Sequence, residues 1–204
     1  MTQDSTENAP AKPNKISKII SNFFNPLTSL FIYFTYSSSL KFTFSEAAII
    51  FLPLLLIVII PISAWIYWNV RKGNYTNMDV SNRKQRKSLY FFIASALLIF
   101  LGYDYFFNEN VDLIVTFLLI LLVLMQLSNY YIKSSMHTAF NVLVAALFFE
   151  LNWILGLIWL IIAILVGVTR IILKRHSVAE VISGAAIAIL VSFIYLYANI
   201  HLQH

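Results

Sequence analysis

From residue 16 to the carboxyl end, the chain alternates long apolar runs with short polar interruptions, a pattern that predicts a bundle of membrane-crossing helices. The clearest run is Phe44–Trp68. Pro53 and Pro61 are tolerable there because neighbouring helices can satisfy the carbonyls they free, and Trp65, Tyr67 and Trp68 mark an interface. A polar loop, Asn69–Ser88, leads to a second run, Leu89–Phe107. Asn108–Asn110 make a tight turn, and Val111–Ile132 form a third run. Thr138–Phe149 is apolar but short, covering as a helix only about 20 Å of a hydrocarbon core about 30 Å thick. Glu150, Leu151 and Asn152 then interrupt it. A glutamate and an asparagine in mid-membrane would be costly, so a turn is expected, with Trp153–Val168 returning as a separate helix. One tilted helix over Thr138–Val168 would instead put His137 and His176 on opposite faces. The last run, Ser177–Ile200, carries the small residues Ser183, Gly184, Ala185 and Ala186 for close helix packing. The first apolar stretch, Ile16 to Leu40, is broken at Asn25 and Pro26, which suits either a kinked span or an interfacial helix followed by a span.

Composition sharpens this picture. The chain is 60% hydrophobic and 11% charged, with a mean hydropathy of +0.79, outside the range of soluble domains. The expected fold is all-α, a polytopic transmembrane bundle of about six to seven membrane segments in one domain, 16–204, after a polar, disordered amino terminus, 1–15. The net charge of +5 is best read through topology rather than as affinity for nucleic acid, so membrane lipid and not nucleic acid is the expected partner. The absence of cysteine excludes disulfides, thiolate metal sites and a cysteine nucleophile. Most of the lysines and arginines fall in three loops: Arg71 to Lys87, Lys133, and Arg170 to Arg175. Asp104, Glu109, Asp112 and Glu150 lie towards the other side. In short loops this asymmetry predicts that the basic side is cytoplasmic, with the carboxyl terminus outside.

The candidate chemistry gathers on the basic side. In Thr169–Glu180, Arg170 stands six residues before His176 and Glu180 four after it, so imidazole and carboxylate share a face if the helix has begun by His176. A carboxylate holding a histidine beside a guanidinium suits an anionic substrate. The simpler reading is that Arg170, Lys174 and Arg175 anchor a helix end at the lipid headgroups. Anchoring alone does not explain a second histidine, His137, after Ser135 on the same side. Two histidines, arginines and a serine make an anion site able to attack phosphorus.

These residues resemble the type 2 phosphatidic acid phosphatases, which share their site with the vanadium haloperoxidases. That family carries K-x6-R-P, then P-S-G-H, then S-R-x5-H-x3-D. Here the third motif reads Thr169-Arg170, five residues, His176, three residues, Glu180, and the second reads Ser134-Ser135-Met136-His137. The first departs further: Arg86 stands at the arginine position, but Asp79 stands at the lysine position and Lys87 at the proline. The resemblance implies a small bacterial inner-membrane member that hydrolyses a lipid phosphomonoester or polyprenyl diphosphate through a phosphohistidine. It also implies a site on the extracytoplasmic face, where many members meet their lipid phosphates, opposite to the side that the charge asymmetry favours. His176 would be the nucleophile, Glu180 its orienting carboxylate and His137 the general acid. Arg170, Arg86 and Ser135 would hold phosphate oxygens, with Arg83 second to Arg86, and no metal or cofactor would be needed. The altered first motif and Met136 in place of glycine leave open a catalytically inactive lipid-binding or assembly protein. A phosphotransferase would use the same cations. A transporter is disfavoured by the lack of inverted repeats.

Overall fold

Polar side chains set the helix boundaries of the chain. The structure, a computed structural model, describes residues 15–80 and 82–202. The expected disordered amino terminus therefore lies outside the described residues, except for Lys15. The helices are α1 Lys15–Phe23, α2 Pro26–Lys41, α3 Phe44–Arg71, α4 Arg83–Asn108, α5 Leu113–Ser128, α6 Met136–Leu151, α7 Trp153–Ile172 and α8 Val178–Leu202. No strand occurs among the described residues. Asn25, Thr43, Asn82, Asp112, Ser135 and Asn152 each cap a helix through a side-chain oxygen, each cap contributing about 1 kcal/mol.

Four helices, α3, α4, α7 and α8, are long and apolar enough to cross a membrane, consistent with an integral membrane protein. Helices α5 and α6 have 16 residues each. Within α3, Pro53 lacks an N–H, and the chain widens into a π-type turn at Leu55–Ile59, where the Ile60 N–H reaches the Leu55 carbonyl.

The break at Asn25 is complete. Asn25 Oδ1 accepts from the Leu27 and Thr28 N–H groups, with Pro26 opening α2. Helix α1 turns Ser17 and Ser21 inward and leaves Ile16, Ile19 and Phe23 exposed. The turn after α6 also forms. The Asn152 N–H closes α6 on the Phe148 carbonyl, and its side chain caps α7 by accepting from Ile154 and Leu155. Glu150 accepts from the Tyr195 hydroxyl, so this carboxylate is paired.

Helix α6 is the axis of the bundle, buried from His137 to Phe148 on most sides and packed against α2, α7 and α8. One turn in from His137, Asn141 joins three elements. Its Oδ1 accepts from Ser29 Oγ and Trp159 Nε1, and its Nδ2 donates to the Phe24 and His137 carbonyls. A buried amide with these four partners fixes the start of α6 against α1, α2 and α7.

Three boundaries differ from the sequence reading, and each bears on the site. The Asn82 cap starts α4 at Arg83 rather than Leu89, so Arg86 lies on a helix. Helix α7 continues past Val168 to Ile172, so Thr169 and Arg170 are helical. Helix α8 begins at Val178, so His176 precedes it and does not share a helical face with Glu180.

Candidate functional site

The α8 start holds His176 by a capping box. Ser177 Oγ accepts from the Glu180 N–H at 3.3 Å, while Glu180 Oε2 accepts from the Ser177 N–H at 3.1 Å. The same carboxylate oxygen lies 2.9 Å from His176 Nδ1. On the other side of the ring, Arg86 Nη2 lies 3.2 Å from Nε2. A guanidinium can only donate, so Nε2 accepts and the ring proton sits on Nδ1, donated to Glu180. Burial first, then the charges of Arg86 and Arg170, push the His176 imidazole down to about 2, which keeps it neutral. The result is a buried imidazole with its Nε2 lone pair turned towards cations.

Arg86 ties three segments together. Its Nε donates to the Val80 carbonyl at 3.1 Å, its Nη1 to the Ser134 carbonyl at 2.9 Å, and its Nη2 to His176. Arg170 is 1% exposed. Its Nη1 donates to Ser21 Oγ at 2.8 Å and to Asp79 Oδ2 at 3.0 Å, while Nε and Nη2 have no partner among the described residues. Asp79 Oδ1 stops 3.8 Å from His137 Nε2, which is also buried without a hydrogen-bond partner. Burial works to raise the Asp79 pKa, but the neighbouring His137 ring and the Arg170 guanidinium outweigh it and hold the carboxyl below its ordinary value. Lys133 adds a further cation, donating to the Arg175 carbonyl at 3.0 Å and lying 3.8 Å from Glu180 Oε2.

Of the residues singled out in the sequence, His176, Glu180, His137, Arg170 and Arg86 come together. Ser135 lies beside them but is engaged in capping α6: its Oγ accepts from the Thr138 hydroxyl at 3.0 Å and the Thr138 N–H at 3.4 Å, and its own N–H donates to the Glu180 carbonyl at 2.9 Å. Arg83 does not join them. Its Nε donates to the Asn129 carbonyl at 2.6 Å, clamping the start of α4 to the loop after α5. The sequence reading assigned no site role to Ser21, Lys133 or the Ser134 carbonyl, and treated Asp79 only as a departure from a motif. Ser17 and Ser21, spaced i, i+4 among isoleucines, were a readable sign that α1 turns a polar stripe inward.

Close packing fixes the relative position of the two histidine segments. A Cβ built on Gly184 would lie 2.6 Å from the Ser135 carbonyl oxygen and 3.0 Å from its nitrogen, so only glycine lets α8 approach this closely. Ser134 Oγ bridges Ser128 and Ser183, each at 2.6 Å.

Two cavities adjoin the cluster at Asp79, while His176, Arg86 and Arg170 line neither. One, of about 420 Å³, is walled by apolar side chains including Leu30, Phe34, Val58, Ile62 and Leu97, with Asn22, Asn25, Asp79 and His137 at its polar end. The other, of about 320 Å³, is lined by Lys18, Asn22, Asp79, Leu173, Lys174 and Arg175. Asp79 and Asn22 line both. Chemically, the cluster offers a neutral nitrogen nucleophile, a second imidazole, two buried guanidinium groups and an apolar slot beside them. No family model, curated protein or solved structure matches the chain.

Proposed function

We propose that the chain is an integral-membrane phosphatase that removes phosphate from a lipid phosphomonoester or polyprenyl diphosphate through a phosphohistidine at His176. The observation that carries this reading is the orientation of His176, with Nδ1–H on Glu180 at 2.9 Å and Nε2 unprotonated, 3.2 Å from Arg86. A nucleophile needs an unprotonated reacting nitrogen and an acceptor behind it to stabilise the charge that develops; the Arg86 Nη2 group that now donates to Nε2 moves onto a phosphate oxygen before attack. The unpartnered Nε and Nη2 of Arg170 supply donors for non-bridging oxygens.

In the first step the Nε2 lone pair of His176 forms a bond to phosphorus as the bond to the lipid oxygen breaks, and His137, an imidazolium once the phosphate dianion sits against it, gives its Nε2 proton to that oxygen and is left neutral. In the second, water attacks phosphorus, the nitrogen–phosphorus bond returns its electrons to His176, and His137 takes the proton from water. Arg170, Arg86 and the Ser135 hydroxyl hold the phosphoryl oxygens throughout. The apolar cavity lined at one end by Asp79 and His137 gives the lipid chain a place beside the general acid.

In this reading α2 to α8 cross in alternation, making about seven membrane segments, and the basic side carrying the site faces the cytoplasm of a bacterial inner membrane. The test is phosphate release from lipid phosphates and polyprenyl diphosphates by purified protein in detergent with EDTA. Turnover that survives His176→Ala would defeat the reading. A second reading, a non-catalytic lipid-binding protein of the same fold, draws support from Asp79, whose carboxylate already engages Arg170. It predicts no turnover of any of these substrates.

A further inference from the structure

Asp79 stands at the boundary between the apolar cavity and the basic one and lines both. Its two oxygens meet the site unequally, one accepting from Arg170 Nη1 at 3.0 Å and the other stopping 3.8 Å from His137 Nε2. This leaves two guanidinium nitrogens of Arg170 and one imidazole nitrogen of His137 buried and without partners. Arg170 lines neither cavity, but it carries more N–H groups than the Asp79 carboxylate satisfies, and an arginine edge beside an imidazole suits a tetrahedral oxyanion with three or more free oxygens.

The backbone that presents Asp79 is strained. Val80, the next residue, is β-branched and fully buried, yet has φ of 44°, a left-handed conformation that β-branched residues rarely adopt. Its carbonyl is held by Arg86 Nε at 3.1 Å, on the guanidinium that also faces His176. An anion that draws Arg86 away from Val80 would release this turn and let Asp79 withdraw.

We propose that Asp79 is a specificity residue, an internal carboxylate that holds the anion site against free phosphate and yields to a phosphate borne on an apolar chain seated in the adjoining cavity. The proposal rests on the phosphatase reading and adds which phosphates can enter. Two anions cannot share Arg170 and His137 without strong repulsion, so any phosphate must displace Asp79. A free ion does so at its bulk concentration. A phosphate tethered to a chain already in the cavity competes at an effective concentration in the millimolar range or above, and so wins where the free ion does not.

The test measures binding of inorganic phosphate and orthovanadate to the purified full chain in detergent, by calorimetry and by thermal shift, for wild type and Asp79→Asn. The expected result is weak binding by wild type and binding at least about tenfold tighter by the variant, equivalent to about 1.4 kcal/mol. The variant's Tm, lowered by its unpaired buried arginine, should recover as phosphate is added, a response that a purely structural role for Asp79 would not produce. Equal affinities would overturn the proposal and leave the phosphatase reading standing. Failure of both proteins to bind either anion would remove the anion site and overturn both. If Asp79→Asn does not fold, wild-type affinities for inorganic phosphate and dodecyl phosphate in the same micelles decide the matter: dodecyl phosphate should bind at least about tenfold tighter, and equal affinities overturn the proposal.

Discussion

Gly184→Ala tests whether the contact between α8 and the Ser135 segment sets the geometry of the site. The added methyl would lie 2.6 Å from the Ser135 carbonyl oxygen and 3.3 Å from its carbonyl carbon, both backbone atoms that cannot rotate away. Restoring an ordinary contact of about 3.5 Å requires the segments to part by roughly 1 Å. The hydrogen bond from the Ser135 N–H to the Glu180 carbonyl, now 2.9 Å, would stretch beyond useful range, with a loss of about 1 kcal/mol. Overpacking strain adds about 1–3 kcal/mol, so the expected destabilisation is about 3 kcal/mol in total. Glu180 lies one turn from Gly184 and holds His176, so the same displacement moves His176 relative to Arg170 and His137. A misplacement of about 1 Å costs roughly 10²-fold in rate. Thermal unfolding in detergent, followed by tryptophan fluorescence, and phosphate release measure the two effects. Gly102→Ala is the control, because a Cβ there meets nothing within 4 Å and alanine favours the helix by about 0.5–1 kcal/mol. A Gly184→Ala protein as stable and as active as wild type would refute the claim that this contact positions the site.

Three further outcomes follow from the contacts. Glu180→Gln keeps an acceptor for both the Ser177 N–H and His176 Nδ1 but loses the charge, so stability should fall by less than about 1 kcal/mol while the rate falls about tenfold or more. An unchanged rate would make Glu180 a helix cap only. Arg86→Lys cannot reach the Val80 carbonyl, the Ser134 carbonyl and His176 together; it should cost roughly 3 kcal/mol in unfolding experiments, and a wild-type Tm would contradict the three-way tie. A single cysteine at Asn74, an exposed position in a cysteine-free chain, should resist an impermeant maleimide in intact cells and react after lysis, and labelling in intact cells would reverse the proposed orientation.

Much of the architecture was legible because membrane helices are written in long apolar runs with polar breaks. The turn at Asn152 is the clearest case: an amide between two apolar stretches has few stable roles other than capping both helices. The His176 and Glu180 pair was legible from spacing, but its mechanism was not. The carboxylate reaches back from the first turn of α8 as half of a Ser177-x-x-Glu180 capping box, a local signal present in the sequence. Choosing between Arg83 and Arg86 required the helix start. With Asn82 as cap, both arginines face the loop between α5 and α6, but Arg83 in the first turn reaches only Asn129, while Arg86, one turn further along, reaches Ser134 and His176. Ser21 reaches Arg170 across 149 positions of sequence, and no local pattern names that partner. Asp79 was visible only as a carboxylate where a lysine was expected, while its pairing with Arg170 depends on a loop whose path is set by a left-handed valine.

The central claim is that His176 Nε2 attacks phosphorus, and covalent trapping tests it most directly. Purified protein is mixed with a radiolabelled lipid phosphate, quenched in base to preserve a nitrogen–phosphorus bond, digested and analysed by mass spectrometry. The account predicts phosphate on His176, labile in acid, absent from His176→Ala and forming more slowly when Glu180 is replaced by glutamine. Hydrolysis that proceeds at the wild-type rate without any label on His176, or with label on another residue, would contradict it.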